Sequence, residues 1–498
     1  MNSSRVAVIG AGLGGMSAAI SLRAAGYDVV IFEKNDRLGG KLNIMEKDGF
    51  TFDLGPSIFT LPQIFRDLFA RAGRKMEDYV ELESVTPHWR NFFEDGTVLD
   101  LYEEDELFRQ EMDKLPGEAE QHWREVQDFL SYCRRQYEIL SSGYLEKGID
   151  GLWEFLRHYG LRKIGKEIDY KPTMSEAIEA RLSDPKLRSI FEYFIKYVGS
   201  SALAAPGYMN MMPIIQFDYG LWYVKGGMYR LAEGLGRLME EMEIEVHLGS
   251  DVAGISREGD VVKGVELAGG EVVDATFVVS NMEVIPTYKE LLGESTKFLR
   301  KLDKFQPACS GLVIHLGTDR VFPELAHHNF IYSENQHKHF RTVFEEGTIP
   351  EDPTLYVVAP TRTDPSKAPA GCDNIKILPH IPPLGERPVA HEEYLALRER
   401  VLDKMERVGF KGLRESIVTE DVLTPVDIEK MYRSNRGSIY GVVSDWKLNH
   451  GFKAPKTSKQ YRNLFFCGGS VNPGGGMPMV VLSGQKVADR IVAFHQRA

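Results

Sequence analysis

The chain has few cysteines, and those it has lie far apart. Only four occur in 498 residues: Cys133, Cys309, Cys372 and Cys467. No C-x-x-C pair is present and no histidine cluster lies near any of them, which excludes a disulfide framework and a cysteine-ligated zinc site. The composition therefore predicts a protein of a reducing compartment.

An excess of positive charge and long apolar runs are also missing. The chain carries 60 lysines and arginines against 72 aspartates and glutamates, a net charge of -12 at pH 7. Nothing concentrates enough basic residues to neutralise a phosphate backbone, so a nucleic-acid partner is excluded. The uncharged residues 6–22 contain a glycine-rich turn and are not free to span a bilayer, and no other run approaches that length. We therefore expect that the chain is not an integral membrane protein.

The sequence also lacks a recognisable arrangement of catalytic residues. The sequence shows no Ser-His-Asp, Cys-His or paired-carboxylate arrangement, and no second glycine fingerprint for a nicotinamide cofactor. His327 and His328 are adjacent, so on a strand they would point to opposite faces and would not ligate one metal ion together. The catalytic side chains stay unidentified, and we expect no metal ligands.

What is present is a glycine-rich turn between two apolar strands. Residues 6–9 are predicted to form a buried strand, residues 10–15 the turn into a helix, and residues 29–32 a parallel second strand. Gly10 permits the tight turn, Gly12 lets a pyrophosphate approach the positive end of the helix, and Gly15 allows close packing. Glu33 is placed to accept hydrogen bonds from a ribose. The predicted dinucleotide site comprises Gly10, Ala11, Gly12, Leu13, Gly14, Gly15, Glu33 and Lys34; the alternative is a turn made only for packing.

The next residues indicate that the dinucleotide is FAD. Arg37, Gly39, Gly40 and Lys41 belong to an R-L-G-G-K sequence, which resembles the second glycine motif of flavoproteins of the amine-oxidase and carotenoid-desaturase type. The resemblance implies that the paired glycines pass close to FAD and that both basic residues face its phosphates or ribitol. The alternative for Arg37 and Lys41 is a pair of solvated surface cations.

Further segments resemble the same family, at residues 53–57, 193–201, 280–288, 432–437 and 468–478. Nearly the whole chain is similar to the bacterial carotenoid desaturase/oxidase family, most closely to its branch of 4,4'-diaponeurosporene oxygenases. Desaturases of the family tend to carry Thr-His-Pro-Gly-Ala-Gly where this chain has Ser-Val-Asn-Pro-Gly-Gly, starting at Ser470. By resemblance, the FAD site also includes Gly55, Pro56, the main chain of Val252, Gly468, Gly469, Ser470, Gly476 and Met477.

The resemblance implies an α/β fold with interleaved domains. A Rossmann-type FAD-binding domain, like those of amine oxidases and phytoene desaturases, is expected from residues 1–75, 216–295 and 426–498. Residues 76–215 are expected to form a mostly helical insertion that faces substrate or membrane, and residues 296–425 a sheet-containing substrate domain. The pattern predicts strands at 272–280, 310–316 and 355–359, and helices at 121–140, 229–242, 391–408 and 480–494.

The implied activity is FAD-dependent oxidation of a terminal methyl group of a C30 carotenoid, 4,4'-diaponeurosporene or 4,4'-diapolycopene, to an aldehyde. Removing a hydride from an allylic methyl leaves a cation spread along the polyene, and a flavin accepts such a hydride. O2 or a membrane quinone is the expected electron acceptor. Two alternatives stay open: a C30 desaturase of the diapophytoene type that introduces double bonds, and a flavin-binding chaperone or lipid carrier without turnover.

A C30 carotenoid is insoluble in water and has to be drawn from a bilayer. The sequence shows neither a spanning segment nor a secretion signal, so we expect a cytoplasmic protein that associates peripherally with the cell membrane. Residues 191–198 and 209–216 are rich in large apolar side chains. A surface at residues 190–216 is therefore the predicted membrane portal, with a buried helical core as the alternative.

Overall fold

The computed structural model of the protein describes residues 4–496. Its strands are β1 (Arg5–Ile9), β2 (Asp28–Phe32), β3 (Ile44–Lys47), β4 (Phe50–Asp53), β5 (Leu82–Ser84), β6 (Trp89–Phe92), β7 (Val98–Leu101), β8 (Trp222–Val224), β9 (Glu245–His247), β10 (Val252–Glu258), β11 (Val261–Leu267), β12 (Val272–Asp274), β13 (Phe277–Ser280), β14 (Ser310–Gly311), β15 (Val313–Thr318), β16 (His328–Ile331), β17 (Leu355–Val358), β18 (Asp373–Ile381), β19 (Ile417–Leu423) and β20 (Leu464–Phe466).

The α-helices are α1 (Leu13–Ala24), α2 (Pro62–Arg71), α3 (Asp105–Glu111), α4 (Ala119–Ser141), α5 (Leu152–Lys166), α6 (Met174–Glu179), α7 (Pro185–Glu192), α8 (Met212–Phe217), α9 (Arg230–Glu241), α10 (Val284–Pro286), α11 (Thr296–Leu299), α12 (Gln336–Arg341), α13 (His391–Arg407), α14 (Leu413–Ser416), α15 (Pro425–Tyr432), α16 (Trp446–Asn449) and α17 (Met477–His495). Within residues 4–496, no helix combines the length and the apolar composition that crossing a membrane requires.

A parallel five-stranded sheet, in the order β20-β13-β1-β2-β9, forms the first layer. The valines and isoleucines of β1 and β2 are buried, as expected for strands covered on both faces. α1 and α17 pack against each other, and Gly484 lets α17 approach the Gly14 carbonyl. The carboxyl ends of β1, β13 and β20 therefore meet at one edge, where open α/β sheets bind their ligands.

A second, larger sheet has the order β19-β15-β18-β17-β16-β6-β7, with β14 pairing on β18. The nine residues of β18 are all buried, and α13 covers one face of the sheet through Leu397, Val401 and Met405. The opposite face turns towards the helical segment, where Phe330 and Tyr356 join the main apolar core. This sheet is therefore positioned as one wall of a space between the layers.

Two of the helices between β7 and β8, α6 and α7, have clear start signals. Thr173 and Glu176 form a reciprocal capping box at α6, and Asp184 caps α7 ahead of Pro185. Their apolar faces merge with the core that also contains α1 and α2. The helical segment is thus packed into the molecule.

The α/β fold class is confirmed, and three local predictions differ from the structure. The single strand expected at 272–280 is two strands, β12 and β13, in different sheets. The segment 76–215, expected to be mostly helical, also contains the strands β5, β6 and β7, and β6 pairs parallel to β16 of the large sheet. The membrane portal predicted at 190–216 is wrong, because Phe194 and Ile195 are 0% exposed and Met212 is 2% exposed. That segment is a buried core, which was the alternative.

Candidate functional site

The glycine turn after β1 forms a cradle of bare backbone. Gly10 donates its N–H to the Phe32 carbonyl at 2.8 Å, which fixes the turn between β1 and β2. Gly12 is the N-cap of α1, whose first-turn N–H groups have no intrahelical partner. A Cβ atom at Gly12 would lie 2.7 Å from Nδ2 of Asn281 and 3.9 Å from Cα of Gly40. Only glycine leaves room there for a pyrophosphate beside the positive helix end.

Glu33 is buried at the end of β2 and keeps free acceptor capacity. One carboxylate oxygen accepts from the Ala11 N–H at 2.8 Å and the other from the Asn35 N–H at 2.9 Å. An ionised carboxylate has about four acceptor positions, so two remain for hydroxyl groups. Glu33 lines the cavity, which suits the predicted contact with a ribose.

The second glycine motif packs directly on the first. Gly39 donates to the Ala11 carbonyl at 2.9 Å, and Gly40 faces Gly12. Lys41 donates to the Ser438 carbonyl at 2.8 Å and lies 3.3 Å from the Glu283 carboxylate. Burial raises the pKa of Glu283, while Lys41 opposes that rise. This pair places a compensated charge at the cavity wall.

One end of the cavity is lined by Ser250, Asp251, Val252, Tyr432 and Arg433. Arg433 holds both Asp251 oxygens, at 2.7 and 2.8 Å, and donates to the Val252 carbonyl at 3.4 Å. The ion pair ties α15 to the start of β10. It fixes the backbone of Val252, whose main chain is the predicted contact for an adenine.

The other end is lined by the carboxyl end of β20 and the start of α17. Gly468 donates to Ser483 Oγ at 2.8 Å, and Gly476 is the N-cap of α17. The connecting loop rests on Asn472, which accepts from the Lys453 N–H at 3.0 Å and donates to its carbonyl at 3.1 Å. The α17 dipole therefore favours negative charge at this end.

Two lysines that the sequence did not single out, Lys196 and Lys376, line the middle of the cavity. Lys376 Nζ donates to the Asp53 carbonyl at 3.0 Å, to the Gly55 carbonyl at 2.7 Å and to Ser57 Oγ. Burial lowers the pKa of Lys376 to about 8, against the attraction of Asp53. Lys376 thus anchors the loop that carries Gly55 and Pro56.

Lys196 is enclosed by aromatic rings. Its Nζ lies 3.7 Å from the ring centroid of Tyr356, 4.1 Å from Phe330 and 5.0 Å from Trp89. The hydrogen bonds and salt bridges within residues 4–496 include none from this Nζ. Burial lowers the pKa of Lys196 well below its ordinary value, and Lys376 lowers it further. Because Lys196 and Lys376 are 180 positions apart and come from a helical turn and a strand, no local pattern signalled this pair.

Most of the predicted site residues come together on this one cavity. Its lining contains Gly10, Gly12, Leu13, Gly14, Glu33, Lys34, Gly39, Gly40, Lys41, Gly55, Pro56, Val252, Gly468, Gly469, Gly476 and Met477. Ala11, Gly15, Arg37 and Ser470 lie outside the lining. Gly15 packs on the Gly10 carbonyl, Ser470 Oγ accepts from the Val284 N–H at 3.1 Å, and Arg37 is exposed beside Asp36.

The model of the family described as flavin containing amine oxidoreductase matches residues 13–492. The chain belongs to this family. Its cofactor is FAD, and the glycine cradle, the free acceptor positions of Glu33 and the α17 N-terminus fit that dinucleotide. The family resemblance in the sequence is confirmed, and the protein is an FAD-dependent oxidoreductase.

Two curated relatives match nearly the full chain. A 4,4'-diapolycopene oxygenase of Methylomonas sp. is 54% identical over 498 residues, covering 99% of both chains. A 4,4'-diaponeurosporene oxygenase of Staphylococcus aureus (strain USA300) is 48% identical over 489 residues, covering 98% of both.

Solved structures share the fold of this flavin family at low identity. An oxidoreductase from Methanosarcina mazei has a TM-score of 0.64 and 17% identity, covering 97% of this chain and 100% of the other. Putrescine oxidase with bound putrescine has a TM-score of 0.62 and 15% identity, covering 99% of both chains. Both similarities concern the fold alone.

Proposed function

We propose that the chain oxidises a terminal methyl group of a C30 carotenoid to an aldehyde. The identity of 54% and 48% to the two carotenoid oxygenases, over nearly the whole chain, carries this proposal. The cavity supports it, because the glycine cradle opens onto apolar and aromatic side chains. They are Ile58, Tyr197, Val313, Tyr356, Leu378, Leu423, Ile439 and Tyr440.

Different residues along the cavity are assigned to different parts of FAD. In this proposal the α1 N-terminus with Gly12 and Gly40 holds the pyrophosphate, Glu33 the ribose, and the main chain of Val252 the adenine. The amide groups at Gly476 and Met477 would hold the flavin-ring end of the cofactor. FAD, when bound, supplies an acceptor for hydride.

The protein's own contribution is positioning and exclusion of water. A polyene has no ionisable group for an acid or base to engage, so the apolar wall decides which carbon reaches the reacting position. Converting R-CH3 to R-CHO removes four electrons and adds one oxygen atom, so a path through the alcohol has two two-electron steps. O2 or a membrane quinone takes up the electrons, and the oxygen atom comes from O2 or water. We place the protein on the cytoplasmic face of the cell membrane.

The mass of the product tests the proposal. FAD-loaded protein incubated with 4,4'-diaponeurosporene under 18O2 should give an alcohol and then a terminal aldehyde, with the conjugated chain unchanged. Label in the alcohol assigns the oxygen to O2, and its absence assigns it to water; the alcohol is scored because aldehydes exchange oxygen with water. Hydrocarbons that have lost two hydrogens and gained no oxygen would contradict the proposal and favour the desaturase.

A glycine variant shows whether the product depends on the cradle. Gly12→Val puts a side chain where the pyrophosphate is proposed to lie, so flavin absorbance and product should both disappear. Gly269→Val is the control, because no atom lies within 4 Å of a Cβ at that exposed turn. A Gly12→Val protein that keeps its full flavin content would refute the assignment of the site.

A further inference from the structure

The two most exposed large apolar side chains of the described residues lie on one helix. On α5, Trp153 is 84% exposed and Leu161 is 78% exposed, whereas the next highest values, at Val272 and Val418, are 56%. The helix changes direction at Gly160, where φ is 73° and ψ is 152°. A tryptophan that exposes most of its ring to water is unfavourable unless something else covers it.

The inner face of α5 is firmly packed. Phe155 is 0% exposed and meets the Phe452 ring edge-on, with centroids 5.7 Å apart. Tyr159 donates its hydroxyl proton to the Leu140 carbonyl at 2.9 Å. Since these side chains fix the helix against the core, Trp153 and Leu161 are held on the outside.

The net charge of α5 is opposite in sign to that of the whole chain. α5 carries Arg157, Arg162, Lys163 and Lys166 against one acid, Glu154, a net charge of +3 in a chain of -12. A basic helix with an exposed tryptophan and leucine has the composition of a segment that lies in the headgroup region of an anionic bilayer. A neutral or cationic partner surface would not match this charge.

The same segment contacts the loop at the flavin-ring end of the cavity. Asp150, just before α5, binds Lys456 and lies 2.8 Å from Arg490 of α17. Its carbonyl accepts from Asn472 Nδ2 at 3.4 Å. Asn472 belongs to the loop that leads to Gly475 and Gly476 in the cavity wall.

We propose that α5, through Trp153, Leu161 and its basic residues, is the surface that docks on an anionic phospholipid bilayer. The occupant of this face is the lipid headgroup region. The identity of the cargo rests on the proposed function. The docking itself does not depend on the reaction.

Vesicle partitioning tests the docking. FAD-loaded full-length protein should co-sediment with vesicles of phosphatidylcholine and phosphatidylglycerol, and much less with phosphatidylcholine alone or in high salt. The double variant Trp153→Ser/Leu161→Ser should lose at least about tenfold in partitioning, and Arg162→Glu/Lys163→Glu should lose as much on the anionic vesicles. Val272→Ser/Val418→Ser is the matched control and should bind like the parent protein.

Three further measurements distinguish a loss of docking from a loss of folding or of activity. Flavin absorbance shows that each variant is folded, and quenching by brominated lipids should fall in Trp153→Phe relative to the parent. Oxidation of a polyene offered in detergent micelles reports the reaction without a bilayer. Binding without oxidation would leave docking intact and contradict the proposed function. Equal vesicle binding by Trp153→Ser/Leu161→Ser and the parent, or self-association through α5 in place of lipid binding, would overturn the docking proposal.

Discussion

At the scale of single residues, the two buried lysines of the cavity have opposite energetic roles. Lys376 is satisfied by three oxygen acceptors and by Asp53 nearby. Lys196 has aromatic rings around it and forms no salt bridge within residues 4–496. Cation–π contacts would return about 2 kcal/mol to a desolvated ammonium ion, which is less than the several kcal/mol that burying the ion costs. The charged form of Lys196 is therefore disfavoured, in agreement with its lowered pKa. Lys196 therefore reduces the stability of the fold, whereas Lys376 supports it.

We expect substitution by methionine to change the free energy of unfolding in opposite directions at Lys196 and Lys376. Lys196→Met should raise the free energy of unfolding by about 1 kcal/mol, because an apolar chain of similar size replaces an unpaired amine. Lys376→Met should lower it by about 3 kcal/mol, because two carbonyls, Ser57 Oγ and Asp53 lose their partner. Denaturant titration of both variants measures the difference. If both variants were stabilised, or both destabilised, the two lysines would not have the opposite energetic roles proposed for them.

The residues that sequence reasoning found and those it missed differ in their distance along the chain. Gly10, Gly12 and Glu33 act within one local unit, so their spacing alone indicated their role. Asn281, Arg433 and Lys196 reach the cavity from three separate segments, 280–288, 432–437 and 193–201. These segments resembled the family, but nothing in them assigned a role to any of the three side chains. Arg37 matched a motif, yet its side chain is exposed beside Asp36 and outside the cavity lining. Residue type at the right spacing does not determine where a long side chain points.

At the scale of elements, the loop at 471–476 depends on a buried ion pair. Lys456 is 0% exposed and binds Asp150, and it also donates to the Asn472 carbonyl at 3.1 Å. Asn472 is itself buried and bonded to Lys453. Asn472 therefore links this loop to the Lys456–Asp150 ion pair.

Asp150→Asn should loosen this loop. The substitution leaves the Lys456 ammonium buried beside a neutral amide, which costs about 3 kcal/mol, and the temperature of flavin release should fall with it. Asp260→Asn, in the exposed pair with Arg462, should change stability by about 0.5 kcal/mol or less. The double variant Asp150→Asn/Lys456→Met should recover part of the loss, because the unpaired charge is gone. Additive losses in the double variant would show that the two residues are not coupled.

The sequence predicted element boundaries correctly where the whole apolar run belongs to a single helix or a single sheet. The expected helix at 391–408 is α13, His391–Arg407, and the apolar run at 6–9 is β1. The run at 272–280 failed because its two halves enter different sheets, with Ala275 and Thr276 between them. The pairing of β6 with β16 joins residues some 240 positions apart, and no alternation pattern within either strand specifies that partner.

At the scale of the whole molecule, the large sheet encloses a set of neutral histidines. Burial lowers the pKa of His88 and His339 to about 4, and of His327 and His380 to about 3. Buried ring nitrogens of all four have no hydrogen-bond partner among the described residues. An unfolded chain binds protons at these groups near pH 6.5, whereas the folded chain does not until about pH 4 or below. Acid therefore favours the unfolded state.

Between pH 6.5 and 4 the unfolded state holds more protons than the folded state, so the free energy of unfolding falls as the pH falls. Each histidine contributes at most about 1.4 kcal/mol per pH unit, and four give about 5 kcal/mol per unit. Burial raises the pKa values of Asp53 and Glu283, so these two carboxyl groups stabilise the fold as the pH falls, but they are outnumbered by the four histidines.

The free energy of unfolding of a folded protein is about 5–15 kcal/mol in total. Acid unfolding, followed by circular dichroism, should therefore begin above pH 5. His339→Gln should remove the contribution of one histidine from the pH dependence of stability, and the exposed His391→Gln at the start of α13 is the control variant. A stability that stays constant from pH 6.5 to 4.5 would show that these histidines are protonated inside the folded protein.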